Sequence, residues 1–172
     1  MDPHRHFATL ARYNVWATRR LCEHVDLLDD DAYRRDAGLF FRSVHGTLNH
    51  LLVAEHEIWF RRFAEGVSPS MRLDAQIESD RGRLRARLLD GAARWLPLIA
   101  SLPAARFDAD GTLDYTSTQG VAMSLPFAAT LAHVFNHGTH HRGQISAALT
   151  AMGQACPELD LVWMLQAESK SS

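Results

Sequence analysis

Apolar positions in this chain recur mostly every three or four residues, the spacing of one face of an α-helix. Leu10, Asn14, Ala17, Leu21 and Val25 form the first such row. Asp2-Pro3 precedes it, an acidic N-cap followed by proline at the first helical position. The cluster Asp29-Asp30-Asp31 and then Gly38 read as a connection. Ser43 suits the cap of a second helix that carries His50, Val53, Ala54, Glu57 and Phe60 and stops at Gly66. Val67-Ser68-Pro69-Ser70 is a loop. Asp74 is placed to cap a third helix reaching about Ser101, before Pro103. Its stripe is Leu84, Leu88, Ala92, Trp95 and Ile99, with Gly82, Gly91 and Pro97 weakening or bending it. Between Gly111 and Leu125 the pattern changes, and Leu113, Tyr115, Thr116, Gly120 and Val121 predict a short hairpin. Ser124 and Pro126 then open a fourth helix that runs to Met152 and ends at Gly153. A short last helix over 158–166 is expected to fold Leu161, Val162, Trp163 and Leu165 back onto the rest. Four long amphipathic segments predict an all-α fold, a four-helix bundle with a short hairpin between helices three and four. The expected domain spans 1–168, with 169–172 as a disordered tail.

Composition narrows the function classes. Apolar residues make up 47% and charged residues 22%, and the net charge is −2. Arginines alternate with acids and form no basic block, which argues against nucleic acid as a partner. No apolar run approaches a membrane span, and the N-terminus lacks an apolar signal core. The expectation is a cytoplasmic protein with no membrane partner, acting on a small molecule. The two cysteines, Cys22 and Cys156, lie outside any CxxC pair and are expected to be free, buried thiols. No nucleotide-binding glycine loop and no GxSxG elbow is present.

Ten histidines are many for this length. His4, His6 and His24 read as surface positions. His133, His137 and His141 recur at spacing four on the fourth helix. Such a row spans roughly 12 Å of rise, so one ion can use only two neighbours. Spacing alone leaves His133/His137 and His137/His141 both open. His50, on another helix, can complete a facial set of three imidazoles with coordination positions left free. Such a set suits zinc, nickel, iron or copper and excludes calcium, which needs many oxygens. Each feature also has a plainer meaning. A histidine pair at this spacing arises by chance, and a single buried histidine is most often a satisfied core residue. Glu57 reads first as a helix-face acid and second as a partner to an imidazole. Trp16 and Trp59 read as core aromatics.

Three stretches together resemble the DinB/YfiT-like family of four-helix-bundle metalloenzymes. They are Tyr13-Asn14-Val15-Trp16-Ala17 on the first helix, the run from Ser43 to Trp59 on the second, and His133, His137, His141, Arg142, Gly143 and Gln144 on the fourth. The resemblance implies an up-down-down-up bundle and a divalent ion, zinc or nickel, on His50, His137 and His141. His133 then becomes a pocket-wall residue. Arg142 is either a solvent-facing cation or a holder of an anionic substrate group. Relatives imply a thiol-dependent S-transferase or isomerase that uses a low-molecular-weight thiol such as bacillithiol or mycothiol, with glutathione equally conceivable, on a small electrophile. The alternatives are a metal-dependent hydrolase and a non-enzymatic metal-binding stress-response protein. A homodimer is the family's expected assembly.

Overall fold

In the computed structural model, which describes residues 2–170, the four long helical runs are all present. Helix α1 spans Pro3–Val25, and Asp2 caps it by accepting from the His4 N–H. The acidic cluster is more than a connection. Asp29 accepts from the Ala32 N–H and starts a short helix α2, Asp30–Arg34, whose first-turn acids face the positive end of its dipole. The second long run starts as α3, Val44–Leu51, capped by the Ser43 hydroxyl. It widens into a π-helical segment, Leu52–Trp59, and closes as α4, Phe60–Glu65. Gly66, at φ 67°, ends it in the left-handed conformation that glycine adopts without penalty.

The third run, α5, spans Arg81–Ser101 and starts later than the sequence suggests. Its cap is Asp80, and Asp74 pairs with Arg72 instead. The cause is Asn49, buried on α3. Its side chain accepts from the Glu78 N–H and donates to the Glu78 carbonyl, which spends the backbone groups a helix would need. The hairpin follows: β1, Thr112–Thr116, pairs antiparallel with β2, Ala122–Pro126, with Tyr115 opposite Met123. Ser124 therefore lies in a strand and does not open α6, which spans Phe127–Ala151. Helix α7, Leu161–Lys170, carries Ser169 and Lys170, so the expected tail begins helically; residues 171 and 172 lie outside the described residues. Met164 is its buried residue, against Tyr13 and Ala17, while Val162, Trp163 and Leu165 stay exposed. Among the described residues no helix is long and apolar enough to cross a membrane.

Contacts fix the helix directions. The α1 start meets the α5 end through His4 and Leu102, and the α1 end meets the α5 start through Val25 and Arg81, so the pair is antiparallel. Asn49 with Glu78, Glu57 with Arg87 and Phe60 with Trp95 advance together, so the second run and α5 are parallel. His50 with His137, Trp59 with His133 and Phe63 with Phe127 advance in opposite senses, so α6 runs back. The bundle is up-down-down-up, and its two parallel neighbours need the long connection 66–80.

The core has two apolar halves. Leu21, Val25, Leu48, Leu84, Leu88 and Ile145 fill one, and Phe7, Phe63, Trp95, Phe127, Leu131 and Phe135 fill the other. Between them lies a buried polar layer of Asn14, Glu55, His56 and Arg142.

Candidate metal centre

His50 lies in the last turn of α3, and His137 and His141 stand one turn apart on α6. The Nε2 atoms of His50 and His137 lie 3.1 Å apart, as do those of His141 and His137. One nitrogen from each ring falls within 4.8 Å of both others. His50 and His141 are buried, and His137 is half-buried. Of the two pairs that spacing left open, His137 and His141 are the ones grouped with His50, while the ring centroid of His133 lies 5.7 Å from that of His137.

The hydrogen bonds behind the cluster set its tautomers. His50 Nδ1 lies 2.8 Å from the Leu73 carbonyl, which only accepts, so Nδ1 carries the proton and Nε2 a lone pair. Gln144 Oε1, 2.8 Å from His141 Nδ1, does the same for that ring. Leu73 belongs to the long connection 66–80, so the parallel topology itself delivers the partner of His50. Phe41 stacks on the outer face of His50 at 3.7 Å between centroids. Burial keeps all three imidazoles neutral at pH 7: it pushes His50 down to about 4 and His137 to about 3, and it lowers His141.

The fit to a cation follows from this arrangement. Two lone pairs, on His50 and His141, both point at His137 Nε2. A proton there can satisfy only one of them, and it would leave His137 Nδ1, which has no partner, as a buried acceptor. One divalent ion satisfies all three nitrogens at once, and three neutral imidazoles leave coordination positions free.

Beside the cluster a pocket of about 240 Å³ opens between the second run, α6 and the hairpin. Trp59, Tyr115, His133 and Arg62 line it with the ligand-type residues His50 and His137. Trp59 packs against the aromatic half of the core and also walls the pocket, and Trp16 packs half-buried on α1 beside Tyr13. His133 is exposed at the rim, and burial of part of its ring lowers its proton affinity.

Residues 1–171 match the DinB family over the full bundle. The chain belongs to the DinB family. Protein DinB of Bacillus subtilis (strain 168) is 25% identical over 153 residues, which cover 88% of each chain. A solved structure of similar fold is that of YfiT from Bacillus subtilis, described as "a probable metal-dependent hydrolase with an unusual four-helix bundle topology". It matches at a TM-score of 0.69 and 16% identity, over 85% of this chain and 87% of that one. At that identity the likeness speaks for the fold.

Several other sequence expectations change. Glu57 is half-buried and pairs with Arg87 at 2.7 Å, away from the imidazoles. Arg142 neither faces solvent nor reaches the pocket. It is 2% exposed and donates to Asn14 Oδ1 at 2.5 Å, while Asn14 Nδ2 donates to Glu55 Oε2 at 3.2 Å. Sequence reasoning missed Glu55 as the buried acid. Burial raises its carboxyl above the ordinary range, against the opposing pull of Arg142. Of the two free cysteines, Cys22 is buried, with its thiol pushed up to about 12 by burial, but Cys156 is exposed.

Proposed function

We propose that this chain is a metal-dependent hydrolase of a small organic ester or amide. The observation that carries the reading is the convergence of three Nε2 atoms, with the lone pairs of His50 and His141 both set towards His137. His50, His137 and His141 would hold one divalent ion, and zinc and nickel both suit three imidazoles. Such an ion supplies Lewis acidity towards a substrate carbonyl. The Leu73 carbonyl and Gln144 keep two of the imidazoles oriented, which preserves geometry through turnover. Phe41 closes one side of the cluster, so substrate enters through the pocket bounded by Trp59 and Tyr115. His133, neutral at pH 7, stands at that entrance as a proton acceptor. In the overall reaction water gives its OH to the carbonyl carbon. The C–O or C–N bond breaks, and the remaining proton goes to the leaving oxygen or nitrogen.

The description of YfiT as a probable metal-dependent hydrolase supports the same class. Thiol-dependent transfer, implied by the family resemblance, has no observation in its favour here, and hydrolysis takes its place as the leading reading. The test is a panel of small esters and amides with the metal-loaded protein. Activity is expected to vanish on chelation and return with zinc or nickel, while the helical circular dichroism persists. Metal-loaded protein without turnover across the panel would overturn the reading, as would unfolding on chelation.

A further inference from the structure

Arg62 is a buried cation with no acid of its own. It is 5% exposed, on α4, and its guanidinium lies between two rings, 4.6 Å from the centroid of Trp59 and 4.3 Å from that of Tyr115. Nη2 donates to the Thr116 carbonyl at 2.8 Å, and Nε is buried without a partner. Among the described residues no carboxylate pairs with it. Three other covered arginines are answered: Arg81 by Asp26, Arg87 by Glu57, and Arg142 through Asn14 by Glu55. An uncompensated buried charge opposes folding, and a methionine would fill the same sandwich without that cost. The retained charge therefore points to something that enters the pocket Arg62 lines.

We propose that this pocket takes a small organic acid, its carboxylate paired with Arg62 and its reacting group at the histidine end. The second half rests on the hydrolase reading; the first does not. Arg62, Trp59, His133 and His137 form a chain of ring contacts from one end of the pocket to the other. Trp59, Tyr115, Ile58 and Ala54 offer apolar and aromatic wall between the two ends. A guanidinium answers one planar monoanion through its fork of N–H groups. Arg62 is the one arginine or lysine among the described residues that line the pocket, a match for a single negative charge. A pocket of about 240 Å³ suits a carboxylate of roughly the size of a phenyl-substituted acid.

The experiment compares phenylacetate with phenylacetamide, which share shape and differ in charge, by titration monitored in 1H–15N NMR spectra. It uses the whole protein, once metal-free and once zinc-loaded. Phenylacetate is expected to shift the Arg62 side chain and the Trp59 indole saturably, with a Kd at least tenfold below that of phenylacetamide. Arg62→Met should bind both alike, and Arg62→Lys should keep part of the preference. Equal affinities in the wild-type protein would overturn the inference, as would a preference that survives Arg62→Met or shifts that map elsewhere. Because Arg62 also holds Thr116, the wild-type comparison decides alone if neither variant folds. Acid preference without zinc uptake would sink only the metal reading; zinc uptake without acid preference would sink only this one.

Discussion

A single proton on Nδ1 of His50 determines where that ring can bind. The Leu73 carbonyl holds the proton, and the lone pair is left on Nε2, facing His137. Gln144 has the same role for His141. Removing that carbonyl lets the ring change tautomer and turn, so Gln144→Ala is expected to weaken zinc binding by about 10–100-fold, in the range typical of such supporting groups. His137→Ala should abolish stoichiometric zinc, because two imidazoles remain, while His133→Ala should leave it nearly unchanged. Zinc per chain after dialysis against a competing chelator reads all three. Equal losses at positions 133 and 137 would mean that the pair on α6 is wrongly assigned. The regular spacing on α6 offered His133, His137 and His141 alike, and the family resemblance, not the spacing, singled out His137 and His141 with His50. The partners were not legible in the sequence: Leu73 acts through a backbone carbonyl, which no side-chain pattern encodes.

At the scale of elements, the π-helical segment governs what the second run presents. A regular α-helix would leave Arg62 about 120° around the axis from His50. The wider turns keep His50, Ala54, Ile58 and Arg62 all on the pocket. The same widening turns Glu55 into the core and sends Glu57 to Arg87. Counting at 3.6 residues per turn selects Glu57 as the acid near the site, which is why the sequence misleads there. Caps were legible where the side chain acts locally, as at Asp2, Ser43 and Gly66. The start of α5 was not, because Asn49 decides it from another helix. Glycines on two neighbouring helices make room for the π segment. A Cβ on Gly91 would sit 2.4 Å from the His56 ring, and one on Gly138 would sit 2.3 Å from Glu55 Oε1. Gly91→Ala and Gly138→Ala are therefore each expected to cost about 1–3 kcal/mol. Gly143 meets nothing within 4 Å on exposed helix, so Gly143→Ala should stabilise by about 1 kcal/mol. Urea midpoints at constant slope check the three together. A neutral Gly91→Ala would show that the parallel pair can slide apart at no cost.

At the scale of the whole molecule, a polar layer separates two apolar halves, and its protonation couples stability to acid. His56 is buried, its Nδ1 has no partner, and burial, reinforced by Arg94 and Arg142, pushes its pKa down to about 3 from the ordinary 6.5. The unfolded chain therefore takes up a proton below pH 6.5 that the folded chain refuses. Stability from this group is complete above that pH and is lost progressively as pH falls towards about 3, at about 1.4 kcal/mol per unit. His50 and His137 act in the same sense when no metal holds them. Glu55 acts oppositely. Its folded pKa is raised, so its contribution is full below the ordinary value of 4.5 and is lost as pH rises through the folded value. Falling pH thus brings a gain from Glu55 that offsets one histidine until about 4.5, below which the histidines act unopposed. The metal-free protein is expected to lose stability from pH 6.5 downwards, most steeply below about 4.5. Urea titrations at pH 7, 5.5 and 4 read the slope. His56→Leu should flatten it by about one proton, and Glu55→Gln should bring the steep region to higher pH by removing the offset. A flat profile, or an unchanged slope in His56→Leu, would mean that the buried layer admits water and carries its charges without penalty.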